Sequence, residues 1–76
     1  MADTVLDTSG LMCPIPILKA RKALSKLQPG AILDVIATDP GSVADFEVLC
    51  MAQGHILLSS LEADGTYHFK IERGPK

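Results

Sequence analysis

Cys13-Pro14-Ile15-Pro16-Ile17 is where the chain changes from one backbone period to another. Upstream, Thr4-Val5-Leu6-Asp7 reads as a short strand, and Asp7 to Gly10 carries turn residues. Downstream, Ile17, Ala20, Leu24 and Leu27 recur at helical spacing. They predict a helix over Ile17 to Leu27, entered through Pro14 and stopped by Gln28-Pro29-Gly30. Proline suits the first turn of a helix, because the amide it lacks would have no intrahelical partner there. Cys13 is therefore expected at or just before the N-cap, held in place by the stiff Pro14 and Pro16. Helix amides and the positive end of the helix dipole should point at it. A thiolate is favoured over a thiol at such a place, so the expected cysteine is exposed, reactive and depressed in pKa. A lone cysteine before a helix is more often a small apolar cap; the paired prolines favour the reactive reading.

The remaining elements alternate. Ala31-Ile32-Leu33-Asp34-Val35-Ile36-Ala37 is nearly continuous apolar, as in a strand that is central in its sheet or covered by helices. Thr38-Asp39-Pro40-Gly41 is a loop, and a second helix is predicted from about Ser42 to Gln53, with Gly54 in the left-handed position that ends it. His55 to Leu61 is a strand, Ala63-Asp64-Gly65 a hairpin turn, and Thr66 to Glu72 the last strand. The order βαβαββ predicts an α+β fold, a two-layer α/β sandwich with both helices on one face of a mixed four-stranded sheet. The β-α-β crossover should be right-handed. Residues 1–76 read as one domain with a core of about 4–73 and a frayed tail from Arg73 to Lys76.

Composition excludes several classes. Seven basic against nine acidic residues, a net charge of -2, leave no clustered cations for general nucleic-acid binding. With no Trp and three aromatic residues in all, a base-stacking platform is also weak. Cys13 and Cys50 are too few for a disulfide scaffold and have no zinc-finger spacing, so no metal site is expected. No apolar run approaches the ~20 residues of a membrane span. Met1-Ala2-Asp3-Thr4 lacks the basic start of a signal peptide, so a cytoplasmic protein is expected.

The ordered set of Leu6-Asp7, Gly10-Leu11, Cys13-Pro14-Ile15-Pro16, a basic helix, Gln28-Pro29-Gly30, Thr38-Asp39-Pro40, Asp45-Phe46, Cys50 and Gly54-His55 resembles the TusA/SirA-like sulfur-carrier family from about Leu6 to Ile71. The resemblance implies the same two-layer sandwich, with Cys13 as the residue that carries sulfane sulfur as a covalent persulfide and no other cofactor. It implies two kinds of partner: a sulfurtransferase donor of rhodanese or cysteine-desulfurase type, and an acceptor protein that offers a cysteine. Family members serve tRNA thiolation, sulfur oxidation or molybdenum-cofactor supply. Members associated with tRNA thiolation have an acidic residue between the two prolines, where this chain has Ile15.

The chemistry needs little else. A Cys13 thiolate attacks the outer sulfur of a donor persulfide, and an acceptor thiolate later attacks the sulfur held on Cys13. Met12, Ile15 and Leu18 are expected to form an apolar docking rim, bordered by Lys19 and Lys22, which would steer acidic partner surfaces. Lysines on a helix more often only solvate its outer face, and that reading is about as strong here. Cys50 falls on the core stripe beside Phe46 and should be an inert packing residue; His55 should be structural; His68 has no sign of catalysis; Asp39 should cap or shape the entry to the second helix. A monomer that forms brief complexes is expected. The competing readings are a cysteine-based redox regulator, with Cys13 oxidised reversibly, and a non-catalytic binding or regulatory module.

Overall fold

Leu33, Val35 and Ala37 are buried, while Ile32, Asp34 and Ile36 between them are only half-buried. This alternation marks a strand covered on one face only. The computed structural model describes residues 4–75. Its elements are β1 (Thr4–Thr8), α1 (Ile15–Ser25), β2 (Ile32–Ala37), α2 (Ser42–Gln53), β3 (Ile56–Ala63) and β4 (Thr66–Glu72). The strands form one sheet in the order β1-β2-β4-β3, with β1 parallel to β2 and the other pairings antiparallel. The βαβαββ order and mixed sheet are those expected. The apolar run of β2 reflects its central position: its outer face stays partly open, and Asp34 there sits opposite Lys70 as a cross-strand pair of opposite charge.

Both helices lie on the covered face. Ala20 and Leu24 of α1 and Phe46, Leu49 and Cys50 of α2 join Leu33, Val35, Ala37, Phe69 and Ile71 in one core. The Phe46 and Phe69 rings stack with centroids 4.6 Å apart, and Tyr67 extends the stack. α1 stops at Ser25, short of the expected Leu27, because Lys26 and Leu27 turn their amides to carbonyls three residues back, Ala23 and Leu24, and tighten the chain into a final turn. α2 ends where expected, on Gly54 at φ 76°. The β3–β4 turn places Asp64 and Gly65 both at positive φ, the geometry that Asp-Gly favours in a two-residue hairpin.

One expectation is overturned at the C-terminus. Arg73 and Gly74 are pinned, against the expected frayed tail. The Arg73 backbone pairs with Gly30 and Ala31, its Nε donates to the Leu24 carbonyl at 2.8 Å, and the Gly74 amide donates to His55 Nδ1 at 2.9 Å. Arg73 thereby satisfies a carbonyl of the last turn of α1. Gly74 is buried so close to Gly54 that a Cβ would collide with the Gly54 carbonyl. Lys76 lies outside the described residues, as do Met1 to Asp3.

His55 is structural, as expected, and carries a pH dependence. Burial first, and the Arg73 charge second, hold its pKa below the usual 6.5. The unfolded chain therefore takes up this proton more readily than the folded one. The contribution of neutral His55 is complete above about pH 6.5 and is lost as pH falls through the lower folded value. Urea midpoints should fall on acidification below that point. His55→Gln, which can still accept from Gly74 and cannot titrate, should flatten the trend; an unchanged slope in that variant would remove His55 as its cause.

Candidate functional site

The loop between β1 and α1 leaves the C-terminal end of β1, beside the loop that leaves its parallel neighbour β2. This is the end of a parallel pair where α/β folds place their sites. Three contacts stitch the two strand ends and their loops together. Thr8 Oγ1 donates to the Ile36 carbonyl at 2.6 Å, the Gly10 amide donates to Thr38 Oγ1 at 2.8 Å, and the Cys13 amide donates to Asp39 Oδ2 at 2.7 Å. The other Asp39 oxygen accepts from the Gly41 amide, so one carboxylate fixes both the cysteine backbone and the entry to α2. Asp39 thus has the loop-shaping role expected of it, and it reaches the Cys13 end of the molecule.

Pro14 is the N-cap of α1, and Cys13 precedes it through a cis peptide bond. The thiol is exposed, as expected. Its acidity is the reverse of expectation: the Cys13 pKa is raised. The largest cause is a hydrogen bond to the Asp45 side chain, followed by desolvation and by the charges of Asp45 and Asp39. Pro14 and Pro16 have no amide hydrogen, and the Ile15 amide is used on the Met12 carbonyl at 2.9 Å, so the helix start offers few donors to a thiolate.

A shallow cavity of about 260 Å³ opens beside the sulfur, lined by Cys13, Pro14, Ile17, Asp45, Val48, Leu49 and Ala52. Met12, Ile15 and Leu18, the expected docking rim, are exposed at 73, 43 and 56%, but they do not line this cavity. Pro16, grouped with Pro14 as a positioning residue, is a buried residue of the first turn of α1. Lys19 and Lys22 do not line this cavity; with Lys26 they border a separate groove over Thr4, Leu6, Ala23 and Leu27. The charges nearest the sulfur are acidic. Asp45, Val48 and Ala52 were missed as site residues, although their spacing of three and then four along α2 is a helical-stripe signal. Cys50 is buried, and burial pushes its thiol up to about 11, so it stays a neutral packing group. Among the described residues no group of three His, Cys, Asp or Glu side chains could hold a metal ion, and no helix is long and apolar enough to cross a membrane.

Fold and site together define a small α+β domain that presents one clamped, exposed thiol at the start of a helix, beside an apolar surface. The chain belongs to the TusA family: the family described as sulfurtransferase TusA matches residues 4–73. It is 49% identical over 71 residues to the sulfur carrier protein TusA of Allochromatium vinosum, covering 93% of each chain. It is 39% identical over 71 residues to the sulfur carrier protein TusA of Pseudomonas aeruginosa, covering 93% of this chain and 90% of that one. A SirA-like protein from Desulfitobacterium hafniense has the same fold, with a TM-score of 0.83 and 29% identity over 93% of this chain and 97% of the other.

Proposed function

We propose that this chain is a sulfur carrier that holds sulfane sulfur as a persulfide on Cys13 and hands it to an acceptor protein. The observation that carries the reading is the contrast between its two cysteines: Cys13 is exposed and held by Asp39, whereas Cys50 is shut into the core. In the loading step the Cys13 sulfur attacks the outer sulfur of a donor persulfide. A new sulfur–sulfur bond forms on Cys13, the donor bond breaks, and the donor leaves as a thiolate that takes up the proton released by Cys13. Unloading repeats this exchange with an acceptor cysteine. Nothing is oxidised or reduced overall, so neither metal nor nucleotide is needed.

Met12, Ile15 and Leu18 would dock the donor and acceptor, since exposed apolar groups beside a reactive thiol gain most from being covered by a partner. The donor would be a sulfurtransferase of rhodanese or cysteine-desulfurase type. Ile15 between the prolines favours a destination other than tRNA thiolation. The redox reading is weaker because Cys50, the other thiol of the chain, is buried and neutral.

Intact-mass measurement after incubation with a sulfurtransferase and its sulfur source tests the proposal. One added sulfur atom, removable by reductant, is expected on the wild type and on Cys50→Ser alike. If no donor of either type loads the protein, the carrier reading is wrong.

A further inference from the structure

We infer that Asp45 is a protonation latch: it keeps Cys13 as a thiol in the free carrier, and a cationic side chain of the docking partner releases it. The inference rests on the sulfur-carrier reading and adds a control to it. Its basis is geometric. α2 brings the Asp45 carboxylate into the same small cavity that Cys13 opens onto, so thiol and carboxylate face one space. Asp39 adds a second carboxylate from the β2–α2 loop, fixed by the Cys13 and Gly41 amides. The other elements around the sulfur bring Met12, Pro14 and Ile17, none of which titrates. The Asp7 carboxylate, on β1, is turned to the Ser9 amide.

Only a thiolate attacks sulfur, so a thiol flanked by carboxylates, which disfavour its ionised form, is a slow nucleophile in the free protein. The latch also guards the load. When an acceptor attacks the outer sulfur of a Cys13 persulfide, Cys13 must leave as a thiolate, and a thiol of raised pKa leaves more slowly. Stray small thiols would therefore strip the sulfur slowly. A partner that sets an ammonium or guanidinium against Asp45 removes the repulsion, and the Cys13 proton then passes to water. Val48 and Ala52 continue the cavity along α2, so the same partner would cover apolar surface next to its cation. Transfer would thus be fast only inside a docked complex.

The test is the pH dependence of Cys13 alkylation by iodoacetamide, a neutral reagent, in a Cys50→Ser background where Cys13 is the sole thiol. Asp45→Asn should shift the midpoint to lower pH and raise the rate at neutral pH several-fold, with the far-UV spectrum unchanged. Val48→Lys, which places a cation one turn from Asp45 in imitation of a partner, should act in the same direction. A folded Asp45→Asn with the wild-type midpoint overturns the latch. If Asp45→Asn does not fold, Val48→Lys decides by the same criterion. Alkylation needs no sulfur donor, so this outcome is independent of whether the protein loads sulfur.

Discussion

Cys13→Ser is expected to load no sulfur from any donor while keeping the fold and stability of the wild type. The replaced atom is the one on which a persulfide would form, and a serine hydroxyl cannot carry sulfane sulfur. The structural effect should be small, because the side chain is exposed and the backbone contacts that position it belong to the amide of residue 13 and Asp39. A substitution at such a site changes stability by within about 0.5 kcal/mol. Full loss of loading with an unshifted urea midpoint would therefore assign the chemistry to the sulfur itself. The same variant separates the competing readings. A binding module should work unchanged when the thiol is replaced by a hydroxyl. A redox regulator would lose its response to peroxide, and its wild type would not retain a reductant-removable sulfur after treatment with a donor. Sulfur appearing on the Cys13→Ser variant would sink the assignment of the site.

The elements were legible wherever local chemistry decided them. Gly54 and Asp64-Gly65 punctuate the chain by their left-handed backbone, and α2 and β4 lie where they were expected. The core stripe of α1 follows from helical spacing alone. What escaped notice depends on residues brought together from distant parts of the chain. The rule that a helix start acidifies a cysteine holds when amides dominate. Here the prolines that mark the site also remove amides, and a carboxylate from another helix reverses the sign. Lys19 and Lys22 were placed beside Cys13 because they share its helix, whereas the fold turns them over β1. Arg73 and Gly74 look like a polar tail in sequence. Their order comes from Leu24, Ala31 and His55, partners that no local pattern announces.

Phe46→Ala should be the most damaging single truncation of this core and should also disturb the sulfur site. Phe46 is fully buried, is among the largest such side chains, and stacks on Phe69 of the central antiparallel pair. Truncating a buried Phe costs about 3–5 kcal/mol, from lost transfer energy and from the cavity left behind. A domain of 76 residues has a total stability of roughly 4–11 kcal/mol at about 0.05–0.15 kcal/mol per residue. The loss is therefore a large part of the whole, and the midpoint of thermal unfolding should fall by about 12 °C or more, at about 4–8 °C per kcal/mol for a chain of this size. Phe46→Leu keeps apolar volume and should recover much of the difference. The functional consequence follows from position on α2. Asp45 precedes Phe46 and Leu49 follows one turn later, and both line the Cys13 cavity. A helix loosened from the sheet cannot hold the Asp45 carboxylate against the thiol, so Cys13 in Phe46→Ala should alkylate faster under conditions where the variant is still folded. Urea titration and alkylation kinetics on one sample check both halves. A stability loss below about 1 kcal/mol would show that α2 is anchored to the sheet by something other than this aromatic stack.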